Sequence, residues 1–467
     1  MKEKYELILT EKPAAAEKIA NALADSKVEK ETYKKKVPYF KIIHNQKQIY
    51  ITCAVGHLYN LTEKVKGAWT YPIFDITWKA SSEIGKAHTY TKDYLDSIKK
   101  LAKEASEFTV ATDLDQEGEL IGYNILRFAC EKEDANRMEF STLTKEDLLE
   151  SYSHKKKHIN KELALAGETR HFLDHYYGIN LSRALTLSVK NSTGRFKILT
   201  TGRVQGPTLK ILEEKEQEIK KFIPQKYWQI EVNGKVSKGD LTVWHKEDKF
   251  WKKEEADRVI KNITGKTGKV EEVKTKEQRI EPPIPFDLTT LQVEASSTLG
   301  LSPKRTLEIA QDLYTGGFIS YPRTSSQKLP EAINYKKIIG ALKIIFQKEA
   351  DLLLKKSKLI PNEGKKTDPA HPAIYPTGEL PKKLEEKSKQ VYELVCRRFL
   401  AVFGDPAIQE VTYVSININK EIFTTKGVVT KEQGWFRLYE KFVKNEDEEL
   451  PIIKAGEKFE TKNINEY

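Results

Sequence analysis

Two short segments share one plan, and that plan limits the architecture more than anything else in the chain. Tyr5-Glu6-Leu7-Ile8-Leu9-Thr10 reads as a buried strand, runs into the charged turn Glu11-Lys12-Pro13, and continues as a helical pattern from Ala14 to Leu23. Glu107-Phe108-Thr109-Val110-Ala111-Thr112 repeats the plan, followed by Asp113-Leu114-Asp115-Gln116-Glu117-Gly118-Glu119 and an amphipathic helix from Leu120 to Cys130. Proline suits the first turn of a helix. Strand-turn-helix units used twice point to an α/β sheet whose charged turns lie at the carboxyl ends of the strands, the edge where sites form. Gln48 to Val55 reads as a further strand ending at Gly56-His57, and Arg137 to Thr142 as a fourth. Thr144-Lys145-Glu146-Asp147 resembles a capping box for the next helix. Residues 1–155 are therefore expected to form one α/β domain of Rossmann-like character.

The remainder changes character twice. Residues 156–215 are mostly helical, with Arg170, His171, Asp174, His175 and Arg183 along a pattern from Asn160 to Val189; Thr201-Gly202-Arg203-Val204-Gln205-Gly206-Pro207 then opens another helix. From Tyr227 the pattern turns to short alternating strands, and it returns to them from about Ile408. The expectation is a β domain built from 216–280 and 407–467, with 281–406 inserted as a helical lobe. Within the insert, a helix from Leu288 to Leu299, a turn at Gly300 and a second helix capped by Ser302-Pro303 resemble a helix-turn-helix unit. The lysine runs at 34–36 and 155–157 read as solvated loops.

With 467 residues there is room for several cores, and a net charge of +11 favours a polyanionic partner. Three scattered cysteines argue against a disulfide framework or a zinc ribbon. With no signal peptide and no apolar run of about 18 residues, a cytoplasmic protein with no membrane association is expected.

Asp113, Asp115 and Glu117 alternate beyond a strand, where residues i and i+2 point the same way. Glu11 leaves the first strand at the same edge if the two run parallel. Several carboxylates together repel unless neutralised, and a hard divalent cation with a few carboxylates and waters, Mg²⁺, answers that need. A second constellation lies in Gly316-Gly317-Phe318-Ile319-Ser320-Tyr321-Pro322-Arg323-Thr324-Ser325-Ser326. Proline holds Tyr321 in extended backbone, and Arg323, two positions on, would project to the same side. A phenol with a guanidinium beside it suits attack on a phosphodiester, the arginine gripping non-bridging oxygens.

The acidic segment resembles the Toprim domain, which carries a Glu after its first strand and an Asp-x-Asp-x-Glu after a later one. Thr289 to Ser326, with Gln292, Glu294, Lys304, Arg305 and Phe318 to Thr324, resembles the active-site region of type IA DNA topoisomerases. Thr201 to Gln205 resembles that family's Gly-Arg-Val-Gln segment, and Ala370-His371-Pro372-Ala373-Ile374 its short histidine motif. The match runs in order over nearly the whole chain.

The resemblance implies a four-lobed torus combining α/β, all-β and helical lobes. Lobe I would be the Toprim domain (1–155), lobe IV the partial gate base (156–215), lobe II the split β arch (216–280 and 407–467), and lobe III the region carrying Tyr321 (281–406). It implies catalytic roles for Tyr321, Arg323, Glu11 and Lys12. Glu11, Asp113, Asp115 and Glu117 would hold Mg²⁺, Arg170, Asp174, Arg203, Gln205 and Arg137 would meet DNA, and His371 would sit behind the active site, contacting a DNA phosphate or orienting a neighbour. The implied reaction is ATP-independent cleavage of single-stranded DNA through a 5′-phosphotyrosine, strand passage and religation. It would relax negatively supercoiled duplex, or decatenate DNA with single-stranded regions, at the nucleoid.

Some features depart from the family pattern. The lysine is Lys12, directly after Glu11, with Ala15 where many bacterial members carry it; this resembles the topoisomerase III branch and archaeal relatives. Thr142 stands where an acidic residue is often found. Family members continue from the β arch into a second lobe IV segment and zinc ribbons, whereas this sequence stops at Asn463-Ile464-Asn465-Glu466-Tyr467 still in β pattern. Two alternatives stay open: a subunit that binds DNA and needs a C-terminal partner polypeptide, and a Toprim nuclease or primase.

Overall fold

The chain begins with β1 (Tyr5–Thr10), every residue buried, and α1 (Pro13–Leu23). A meander of β2 (Glu29–Tyr33), β3 (Val37–His44) and β4 (Lys47–Cys53) follows, then a hairpin of β5 (Tyr59–Glu63) and β6 (Ile76–Ala80). Next come α2 (Ser81–Ile84), α3 (Thr91–Ala102), β7 (Ala105–Ala111), α4 (Gln116–Ala129), β8 (Asn136–Arg137) and α5 (Lys145–Ser153). The main sheet has the order β2-β3-β4-β1-β7-β8. Its middle is parallel, β4 to β1 to β7 to β8, and its β2-β3-β4 side antiparallel. Leu7, Leu9, Val110, Ile121 and Ile125 anchor the core between this sheet and its helices. A computed structural model provides this description, covering residues 4–65, 67, 69–443 and 447–467. No helix among them is long and apolar enough to cross a membrane.

The helical stretch is α6 (Lys161–Thr193), capped by the Asn160 side chain, and α7 (Gln205–Lys221). Helix α6 lies close on α4: a Cβ at Gly167 would collide with the Gln116 carbonyl. The remaining elements are β9 (Ile230–Val236), β10 (Gly239–His245), α8 (Lys253–Ile263), β11 (Gly268–Ile280), α9 (Leu288–Leu299), α10 (Pro303–Thr315), α11 (Tyr335–Leu342), α12 (Gln347–Leu354), α13 (Glu386–Ala401), β12 (Ala407–Ile418), β13 (Glu421–Glu432), α14 (Phe436–Tyr439) and β14 (Lys458–Glu466). Six strands close into a barrel of order β10-β13-β12-β11-β14-β9, and Ala256, Val259 and Ile263 of α8 join its core.

The chain divides into two units, 1–218 with 286–330 and 365–393, and 219–285 with 331–364 and 394–467. The stretch 281–406, expected as one lobe, is thus shared between them. In the first unit, Ile319 bridges Pro376, and the Tyr321 N–H donates to the Ser141 carbonyl at 2.9 Å. In the second, the Asn362 N–H donates to the Val402 carbonyl and Tyr335 packs on Phe403.

Two further expectations need correction. The strand expected over 137–142 pairs only at Asn136 and Arg137, because Ser141 gives its carbonyl to Tyr321 and Thr142 its N–H to Asp147. Lys155 is no solvated loop residue: its ammonium lies 2.6 Å from the fully buried Glu6 carboxylate and 3.0 Å from Glu107. A carboxylate removed from water needs such a partner.

Candidate active site

Parallel pairing of β1 with β7 sets Thr10 opposite Ala111, so Glu11-Lys12 and Thr112-Asp113 leave the sheet at one edge. The Lys12 ammonium sits 2.9 Å from Glu11 and 3.9 Å from Asp113. Burial pulls its pKa down, but Glu11 and Asp113 outweigh that and leave it raised, so the group stays cationic. Asp113 is buried; desolvation and the neighbouring Glu11 charge push its carboxyl up to about 7, against the opposing pull of Lys12. Asp115 caps α4, accepting from the Gly118 N–H at 2.7 Å. A Cβ at Gly118 would strike the Asp113 carbonyl, so glycine is what lets the helix start this close to the carboxylates.

Tyr321 enters from the other half of the unit. It is 2% exposed, and its hydroxyl donates to Asp115 Oδ2. Burial, with Asp115 and Asp113 beside it, holds the phenol far above its usual range; the Arg323 charge opposes this. Arg323 itself is exposed. The expected pairing of phenol and guanidinium is therefore one of field rather than contact, the phenol facing carboxylates inward and the arginine facing solvent.

Three residues around the phenol carried no sequence signal. Tyr314 is buried at the end of α10, donates to Asp113 Oδ1 at 3.0 Å, and meets the Tyr321 ring edge-on at 5.1 Å. Ser141 holds the Tyr321 backbone and bonds His371 Nδ1 at 3.0 Å. Lys18 donates to the Gly316 carbonyl at 3.0 Å, fixing the turn that leads to the tyrosine.

His371 was expected behind the active site, contacting a phosphate or orienting a neighbour. Its ring lies 4.5 Å from that of Tyr321, its Nε2–H donates to the Leu114 carbonyl at 3.0 Å, and burial lowers its pKa. These contacts tie it to the tyrosine and the acidic loop. Arg137, expected at DNA, is a correction. It is fully buried and has no face for a nucleic acid. Its guanidinium donates to Glu119 at 2.8 Å and to the carbonyls of Thr112, Met138 and Asp113 at 2.9, 2.6 and 3.1 Å. A charge buried this completely is tolerated only with every donor engaged, and the effect is to fix the backbone under Asp113.

The expected acidic set splits. Glu11, Asp113 and Asp115 gather beneath Tyr321, but Glu117 turns to His57 Nε2 at 2.8 Å, His171 Nε2 at 2.9 Å and Arg170 at 3.3 Å. The bonds from His171 and His57 hold it well below the usual carboxylate range. Arg170 reaches on to Asp174 at 3.8 Å, which Arg203 grips through two nitrogens at 2.7 and 3.0 Å. Gln205, the first residue of α7, is exposed near this chain of charges in sequence. The three gathered carboxylates are hard oxygen donors, and the raised pKa of Asp113 marks negative charge that Lys12 only partly answers. That donor set suits Mg²⁺.

Residues 158–466 match the family model described as DNA topoisomerase, and residues 6–143 the Toprim domain. DNA topoisomerase 1 of Pyrococcus horikoshii is 45% identical over 459 residues, covering 97% of this chain and 66% of that protein. The protein of the same name from Methanocaldococcus jannaschii is 45% identical, covering 98% of this chain and 59% of its own length. Full-length topoisomerase I from Thermotoga maritima has a similar structure, with a TM-score of 0.71 at 26% identity, over 99% of this chain and 72% of that one. The chain thus spans less than two thirds of the length of the two archaeal relatives.

Proposed function

This chain belongs to the type IA DNA topoisomerase family, and on that premise we propose that it cleaves single-stranded DNA reversibly through Tyr321, without ATP. The observation that carries the reading is the Tyr321 hydroxyl donating to Asp115 inside a carboxylate cluster beside Lys12. The phenol oxygen attacks phosphorus and its proton passes to Asp115. The bond from phosphorus to the 3′-oxygen breaks, and the leaving oxygen takes a proton from Lys12, which Glu11 holds in place. Arg323, exposed and close enough for its charge to reach both Lys12 and Tyr321, stabilises the phosphate. The products are a 5′-phosphotyrosine and a free 3′-hydroxyl. The ester keeps the bond energy, so the hydroxyl reverses the step. Mg²⁺, held by Glu11, Asp113 and Asp115, would supply positive charge beside the DNA phosphates.

In this reading residues 1–155 act as lobe I, 156–215 as part of lobe IV, 216–280 with 407–467 as lobe II, and the Tyr321 segment of 281–406 as lobe III. Arg170, Asp174, Arg203 and Gln205 follow the DNA strand, and the substrate is negatively supercoiled or partly single-stranded DNA at the nucleoid. A second requirement is favoured by α6 and α7. Leu173, Tyr177, Leu181, Leu185, Leu209 and Leu212 are all exposed there, more apolar surface than water-facing helices ordinarily carry. A further polypeptide segment covering these helices is needed for strand passage, though not for cleavage.

The test is covalent trapping on a single-stranded oligonucleotide labelled at its 3′ end, quenched with detergent and run on a denaturing gel beside Tyr321→Phe. A slow-migrating labelled adduct absent from the variant is expected. An adduct of equal yield in Tyr321→Phe would assign the nucleophile elsewhere, and binding without any adduct would favour a DNA-binding subunit.

A further inference from the structure

Three side chains from separate elements converge at Glu117. His57 follows β4, Glu117 lies in the first turn of α4, and His171 projects from α6. Among the described residues this is the grouping of histidines, cysteines and carboxylates whose ligand atoms all lie within 4.8 Å of one another. Both imidazoles point Nε2 at the same oxygen, Oε2, at 2.8 and 2.9 Å, and their rings lie 4.6 Å apart. The two N–H positions aimed at one carboxylate oxygen are those a cation takes when it displaces protons. The walls are fixed. His171 lies 5.9 Å from the Trp78 ring, whose Nε1–H donates to Glu168 at 3.0 Å, and Glu168 also holds Arg127.

We propose that His57, Glu117 and His171 form a site for a borderline divalent ion, Zn²⁺ in the first instance, separate from the Mg²⁺ group under Tyr321. Two imidazoles and one carboxylate with further positions open is a zinc donor set, and imidazole nitrogen is a poor ligand for Mg²⁺. Arg170, 3.3 Å from Glu117 Oε1, is the one opposing charge among the contacts of Glu117; it is half exposed and already shared with Asp174, to which it can turn. Among the described residues, no cysteine belongs to this group of ligand atoms. An ion here ties Glu117 to α6 and to the segment after β4. Where Glu117 is also wanted for Mg²⁺, the two ions oppose each other, a consequence that rests on the reading above, whereas the site itself does not.

The experiment uses the full chain, stripped with a chelator and titrated with Co²⁺. Expected are the intense visible bands of a four- or five-coordinate site, saturating at one ion per chain, erased by equimolar Zn²⁺ and untouched by excess Mg²⁺. His57→Ala and His171→Ala should each weaken Co²⁺ binding by about 100-fold or more, since even outer partners of metal ligands are worth about 10- to 100-fold. Equal binding by these variants, or displacement of Co²⁺ by Mg²⁺, overturns the proposal. Zinc X-ray absorption on the unaltered protein guards against misfolded variants. It should read two imidazoles and no sulfur; fewer imidazoles, or any thiolate, also overturns it. None of these readings depends on DNA cleavage, so a chain that forms no adduct is still fully tested.

Discussion

Asp115 and Glu117 stand two residues apart and live in opposite surroundings. Asp115 faces a phenol beside two other carboxylates, and its neighbour Asp113 is driven up to about 7 by burial and by Glu11. Glu117 faces two imidazoles and a guanidinium and is held low by them. Alternation along an extended chain would aim both the same way. It fails because Asp115 is the cap of α4, so the next residues turn by about 100° each rather than 180°. A motif written as x-alternation therefore straddles a strand end and a helix start, and delivers one carboxylate to the Tyr321 phenol and another to α6.

The sharpest way to break this contrast is to neutralise each acid in turn. Asp115→Asn should lower the rate of adduct formation by about 10²- to 10⁴-fold, the range for losing a proton acceptor. Glu117→Gln should lower it less, because Glu117 does not touch the phenol. Equal losses measured on the trapping gel would put both acids in one function.

Arg137 supports the backbone under Asp113 and, through Glu119, the N-cap of α6. Arg137→Ala leaves Glu119 buried without its partner and should cost about 3–5 kcal/mol in denaturant unfolding. A loss within the range of ordinary surface substitutions would mean the network contributes little.

The two sides also predict opposite pH behaviour. A carboxyl whose folded pKa is raised binds protons more tightly folded than unfolded, so Asp113 costs stability as pH rises from about 4 to about 7, by an amount on the order of 2–4 kcal/mol. Asp113→Asn should remove that decline, and Mg²⁺ should raise the melting temperature of the unaltered chain more at pH 8 than at pH 5. Glu117, held low, contributes stability above its unfolded pKa of about 4 that is lost as pH falls further. Parallel melting profiles for the chain and Asp113→Asn would remove the contrast. The smallest effect belongs to Arg203, exposed on the Glu117 side. Arg203→Ala should leave thermal stability unchanged and reduce the salt slope of single-stranded DNA binding by about one.

Much of the frame was legible. The run Tyr5–Thr10 and its repeat at 107–112 announced two buried strands with charged turns at their ends, and Ser302-Pro303 announced α10 through its cap, whereas the parallel pairing of the two strands is visible only in the sheet. What escaped reading depends on partners distant in sequence. Arg137 looks like any surface arginine until five acceptors enclose it, and Lys155 sits in a run that is otherwise solvent-facing. Tyr314 and Ser141 belong to no spacing pattern; Tyr314 acquires meaning only from Asp113 and the Tyr321 ring, and Ser141 only from the Tyr321 backbone and His371. His57 and His171 lie over a hundred residues apart and meet only because α6 packs on α4 through Gly167.

The depth of Tyr321 has a consequence for chemical damage as well as for the role proposed for it. A phenol 2% exposed, with its proton engaged by Asp115 and a histidine ring against its face, is shut away from nitrating and alkylating reagents in the surrounding water. If Tyr321 acts on DNA as proposed, the same enclosure keeps it from the strand until the contacts through Lys18, Ser141 and Tyr314 loosen. Reagent labelling of Tyr321 should therefore be slow in the resting chain and, under that proposal, quicken when single-stranded DNA is added, making the side chain a clock for its own unsealing.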